Sequence, residues 1–111
     1  MLDATEPIIQ EMVRVIVSAI HPEQVILFGS RATGSEQVDS DVDLLIVEPE
    51  PFGKHRSRKK EMVKLYDLLS VFSLPKDILV FSKEEVEFWK PAVNHVIHHA
   101  LKEGRILYER D

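Results

Sequence analysis

The chain of 111 residues, 44% hydrophobic and 30% charged, has enough apolar side chain for one core and too little for two ordinary domains, so a single domain over 1–111 is expected. It has no cysteine, which excludes a disulfide framework and a thiolate zinc site and makes an intracellular location the economical reading. The formal net charge of −5 argues against indiscriminate nucleic-acid binding. No apolar run approaches the roughly 20 residues of a membrane span, and the N-terminus carries acids rather than a basic signal-peptide start, so the chain reads as cytoplasmic.

Ile8, Ile9, Met12, Val13, Ile16 and Ile20 recur at helical spacing, with Asp3 or Thr5 as N-cap and Pro22 just beyond the far end. "QVILF", 24–28, is short, apolar and β-branched, as suits a strand covered on both faces. Gly29 breaks it, and residues 30–34 have room for about one helical turn before the polar loop "GSEQVDS" leads to a strand "DVDLLIV" over 41–47. The prolines and glycine of "EPEPFGK" end that strand.

A second long helix follows with Met62, Leu65, Tyr66, Leu69 and Phe72 on one face, and Pro75 stops it. "KDILVF", 76–81, reads as a third strand, and Ser82 with Glu85 fits a capping box that opens another helix. Pro91 interrupts that helix. Residues 92–103 are helical in pattern up to Gly104, with "RILYE" as a short tail. The fold class is therefore α/β (α+β), a small mixed sheet of about three to four strands covered by helices.

Two aspartates within an apolar strand need a reason, because burying a carboxylate costs several kcal/mol unless it is paired. Alternate strand residues share a face, so Asp41 and Asp43 are expected to point one way and Val42, Leu44 and Ile46 the other. Their Cα atoms should lie roughly 6.6 Å apart, close enough to share ions spaced about 4 Å apart, as two-metal phosphoryl-transfer sites require. Hard oxygen ligands favour Mg²⁺, whose shell is completed by water and phosphate oxygens. Asp77 supplies a third carboxylate if it faces the same side.

Gly29 at a strand end allows a phosphate to approach the backbone, and Ser30 adds a hydroxyl donor. Arg31 suits either a phosphate or the carboxylates themselves as counter-ion. Gly-Ser, then Asp-x-Asp beginning eleven residues after Ser30, then a lone Asp on a third strand, is the arrangement of the DNA polymerase β-like nucleotidyltransferase superfamily.

The strings "GSRATG" and "SDVDLLIV" resemble those of the minimal nucleotidyltransferases, or MNT proteins, of that superfamily. The resemblance extends over nearly the whole chain, including "KDILVF" and the closing "HALKEGRILYE". It implies a mixed sheet with helical layers. It also implies nucleotide phosphates held by Gly29 and Ser30, metals bound by Asp41 and Asp43, and a triad completed by Asp77 as metal ligand or general base. Thr33 stands where many relatives have a second basic residue.

The implied cofactor is Mg²⁺, two ions, with Mn²⁺ as substitute. The implied reaction is transfer of AMP from ATP to a hydroxyl, pyrophosphate leaving. In the family the acceptor is a tyrosine of a helical HEPN partner, the two proteins forming an antitoxin and a toxin. The competing reading is a binding module that blocks its partner sterically while its nucleotide site is vestigial.

Three segments stand apart from this motif. "KHRSRKK", 54–60, precedes or begins a helix, where the macrodipole disfavours positive charge. It reads as a solvated basic loop, with contact to partner, triphosphate or RNA as the alternatives. His95 and His98 or His99 share a helical face, but no carboxylate or cysteine is spaced to complete a zinc shell. Phe88 and Trp89 suit a core or a groove lining, and, if exposed, a partner interface.

Overall fold

The computed structural model describes residues 5–37 and 39–111. Helix α1 (Thr5–Ile20) buries Ile9, Met12, Val13 and Ile16, the i, i+3, i+4, i+7 stripe of an amphipathic helix. Thr5 stands inside its first turn rather than capping it, and Asp3 lies outside the described residues.

Strand β1 (Gln24–Phe28) is followed by the single turn α2 (Ser30–Thr33), strand β2 (Val42–Glu48) and helix α3 (Arg58–Leu68). A 3₁₀ turn at Leu69–Val71 leads to strand β3 (Lys76–Ser82) and helix α4 (Lys83–Trp89). Helix α5 (Val96–Glu103) and strand β4 (Arg105–Glu109) close the order.

The four strands lie in the order β3-β2-β1-β4. β1 is antiparallel to β2 and β4, whereas β2 and β3 are parallel, which requires the crossover that α3 supplies. Val42, Leu44 and Ile46 of β2 enter the layer filled by α1 and α3, and Leu45 and Val47 enter the layer under α4 and α5. The central strand is thus apolar on both faces, as expected of a covered strand.

Three expectations need correction. Strand β2 runs 42–48 rather than 41–47, so Asp41 precedes the paired residues and is exposed. Helix α5 starts at Val96 rather than 92, because the His95 side chain accepts a hydrogen bond from the Ile97 amide and caps the helix there. "RILYE" is an edge strand of the sheet rather than a tail. Its docking depends on Gly104, where a Cβ would fall 2.1 Å from the Ala100 carbonyl oxygen and 2.6 Å from Ile26 Cγ2.

Candidate active site

The site is built where β1 ends. Phe28 pairs with Asp43 across the antiparallel ladder, so the next residue, Gly29, lies against the Asp43 side chain. A Cβ at Gly29 would sit 2.2 Å from Asp43 Oδ2, and φ there is +73°, a conformation that favours glycine. The glycine is needed on both counts. Its carbonyl accepts from the amides of Ala32 (3.1 Å) and Thr33 (3.3 Å), which closes the turn that begins at Ser30.

Asp77 arrives from the other side. In the parallel ladder it is the register partner of Asp43, so the two carboxylates stand on the same face of strands about 4.8 Å apart. Burial raises the Asp43 pKa above the ordinary carboxylate value, and the negative charges of Asp77 and then Asp41 push it further. No cation lowers it among the described residues. Asp43 is half-buried, while Asp41 and Asp77 are exposed.

The three expected aspartates therefore share one electrostatic neighbourhood. They do not make a ready-made cage: among the described residues no three His, Asp or Glu side chains are grouped closely enough to hold a metal ion unaided. The reason is that Asp41 lies ahead of the strand, and only Asp43 and Asp77 are fixed in register.

The Arg31 guanidinium donates through Nε and a terminal nitrogen to the Ser40 carbonyl, at 3.1 and 3.0 Å. This clamps the loop leading to Asp41. Ser40 Oγ in turn accepts from the Gln37 amide at 2.7 Å. Thr33 Oγ1 lies 3.0 Å from Ser35 Oγ at the exposed end of the turn.

The profile of the nucleotidyltransferase domain matches residues 9–107, from the second turn of α1 into β4. The chain belongs to the nucleotidyltransferase domain family. No curated protein sequence matches it. Among solved structures it is similar to a nucleotidyltransferase candidate from Sulfolobus solfataricus, with a TM-score of 0.64 at 22% identity over 91% of this chain and 77% of that one. It is also similar to a toxin–antitoxin structure with AMP-PNP (TM-score 0.58, 16% identity, 92% and 74% covered). A third similar structure, the toxin–antitoxin MntA-HpeT carrying two aspartate-to-glutamate changes, gives 0.57 at 13% identity over 91% and 73%. These likenesses establish the fold of the nucleotidyltransferase domain, a mixed sheet with helical layers.

Within the basic segment of this nucleotidyltransferase, Arg56 and Arg58 are engaged in the structure. Arg56 donates to Glu48 Oε1 at 2.5 Å and to the Glu50 carbonyl at 2.8 Å, and stacks over Phe52. Arg58, the first residue of α3, pairs with Glu85, donates to the Val80 carbonyl at 2.8 Å, and lies over the Phe52 and Phe81 rings. Burial raises Glu85, but its bonds to Arg58 and Ser82 outweigh that and hold it below its ordinary value. This ion pair offsets the unfavourable positive charge at the helix start. Lys54, His55, Lys59 and Lys60 remain exposed, so the solvated-loop expectation holds for the lysines and not for these two arginines.

The histidines are occupied too. His95 stacks on Trp89 with centroids 4.3 Å apart, and His98 Nδ1 lies 2.9 Å from the Lys90 carbonyl oxygen.

Sequence reasoning also misses Tyr66 and Glu48. Helical spacing puts Tyr66 on an apolar helix face, yet its hydroxyl accepts from the Ile78 amide (2.9 Å) and donates to Asp77 Oδ1 (3.4 Å). Glu48 is buried at the far end of β2, and an acid directly after "LLIV" was the signal that a basic partner must follow.

Proposed function

We propose that this nucleotidyltransferase moves the monophosphate of a nucleoside triphosphate, ATP first among them, onto a hydroxyl of a HEPN-type partner protein, and so acts as the antitoxin of a toxin–antitoxin pair. The observation that carries the reading is Asp43, a half-buried carboxylate pressed against Gly29 and facing Asp77, with like charge around it and no countercharge among the described residues. Such a donor set fits a divalent cation, since hard oxygens and uncompensated negative charge are what Mg²⁺ or Mn²⁺ takes. Asp43 and Asp77 would hold the metal, with Asp41 joining from the loop. Bound there, the metal neutralises charge on the triphosphate and makes the acceptor hydroxyl more acidic.

The chain's own residues do the rest. Gly29 lets the Asp43 carboxylate lie against the backbone, the turn after it would present its backbone and the Ser30 hydroxyl to phosphate, and Arg31 fixes the loop leading to Asp41. The acceptor oxygen bonds to the α-phosphorus, the bond to the bridging oxygen breaks, and pyrophosphate leaves with its electron pair. The acceptor proton passes to a solvent water. The similar structures, one of them with AMP-PNP and both of toxin–antitoxin pairs, support an adenine nucleotide and a toxin as partner.

One observation favours the alternative of steric blockade: Phe88 and Val93 are 69% and 61% exposed, an apolar surface open to a partner. Labelled ATP, Mg²⁺ and a HEPN-type partner, with and without Asp43→Asn, separate the two. Transfer of label by the parent and none by the variant is expected, along with loss of protection in cells. A variant that is folded, dead in transfer and fully protective would leave blockade as the function.

A further inference from the structure

We infer that Tyr66 is a positioning residue for Asp77, holding this carboxylate against the repulsion of Asp43 so that it keeps one oxygen free for a cation. The inference rests on the nucleotidyltransferase reading of the site. Asp77 sits on an edge strand, is exposed, and stands in register with a second carboxylate. Left alone, such a side chain would rotate away into water, because like charges across a ladder repel.

Three bonds prevent the strand from moving. The Pro75 carbonyl accepts from the Val42 amide at 2.8 Å, Lys76 Nζ donates to the Phe72 carbonyl at 3.0 Å, and the Ile78 amide donates to the Tyr66 hydroxyl at 2.9 Å. The residues on either side of Asp77 are thereby fixed. Because the hydroxyl accepts from the Ile78 amide, its own proton is left to donate, and Asp77 Oδ1 lies 3.4 Å away.

Tyr66 itself is stationary enough for the task. Leu65 and Leu69 of the same stretch are fully buried, so the backbone that carries it is anchored in the core, while the ring lies 37% exposed along the sheet edge. With Oδ1 engaged, Oδ2 has no partner among the described residues. That leaves one oxygen for a metal, and the hydrogen bond orients it as outer partners orient ligands in metal sites generally.

The test measures Mn²⁺ binding by electron paramagnetic resonance in the presence of a non-hydrolysable ATP analogue. Tyr66→Phe should weaken Mn²⁺ roughly tenfold. In an Asp77→Asn background the same change should do nothing further, since its effect runs through the carboxylate. Equal binding by parent and Tyr66→Phe, or additive losses in the double variant, overturns the inference while leaving the nucleotidyltransferase reading in place. No metal-dependent binding by the parent overturns both. Should Tyr66→Phe fail to fold, hydrogen exchange on the unaltered protein decides: the Ile78 amide should exchange slowly, and exchange at the rate of an open edge amide refutes the inference.

Discussion

The two ends of β2 carry acids in opposite circumstances. Asp43, near the start, faces the α4 and α5 layer, lies against Gly29, stands in register with Asp77, and has no cation lowering its pKa among the described residues. Glu48, at the end, faces the α1 and α3 layer, is 2% exposed, and meets Arg56 at 2.5 Å while Glu61 reaches the same guanidinium at 3.5 Å. Burial, then the hydrogen bond and charge of Glu61, push the Glu48 carboxyl up to about 7 against the pull of Arg56. One acid is kept open for something to bind, and the other is closed off by the chain. The difference lies in what surrounds each carboxylate.

The sharpest way to break this contrast is Asp43→Asn. It should remove metal-dependent nucleotide binding and transfer by on the order of a hundredfold or more, while leaving stability unchanged or raising it by up to about 1 kcal/mol, since a repelled charge is lost. Calorimetry with and without chelator reads the first effect and thermal melting the second. A clear loss of stability would mean that Asp43 is structural, like Glu48.

At the other end Arg56→Met should do the reverse. It strands Glu48 in the core without its counter-ion, at a cost of about 3 kcal/mol in denaturant unfolding, with metal-dependent nucleotide binding retained in the folded fraction. The cost should be larger at pH 8 than at pH 5, where Glu48 is protonated.

Gly29→Ala brings both effects together. The added Cβ strains a positive φ and meets Asp43 Oδ2, so unfolding should lose about 1–3 kcal/mol, and the displaced carboxylate should weaken metal binding as well. Loss of stability with unaltered metal binding would separate the turn from the site.

The same contrast also sets a pH slope. Because the folded pKa of Glu48 is raised from 4.5 to about 7, the folded state holds a proton that the unfolded chain releases. Its contribution to stability is therefore present below about 4.5 and lost as pH rises through about 7. Melting curves across that window should show a decline that Glu48→Gln flattens; an unchanged slope would assign it to other groups.

What could be read in the sequence was mostly local. The Gly29 turn, the first three strands in chain order and the Ser82–Glu85 capping box rest on neighbours a few residues apart, and the structure has all of them. The facing of Asp77 and Asp43 was conditional on a register between strands separated by a helix, which no local pattern specifies. Helix α5 was expected four residues too early because apolar spacing continues through Ala92 and Val93, whereas the true start is set by a histidine acting as a cap. Tyr66 escaped because a tyrosine at helical spacing looks like core, and only the position of the sheet edge makes its hydroxyl matter. Arg56 and Arg58 escaped for a similar reason. Their acids lie on other elements, at Glu48 and Glu85.

Strand β4 has a consequence for the order in which the chain comes together. It lies against β1, and its Glu109 meets Gln24, a residue 85 positions earlier. Closing so long a loop is slow compared with the β1–β2 hairpin, so β1 should spend the early part of folding as an unprotected sheet edge. During synthesis this interval lasts until β4 has left the ribosome. An apolar strand in that state invites pairing with another chain, and a nascent copy stalled before Gly104 should be more prone to aggregate than any full-length variant weakened in the core.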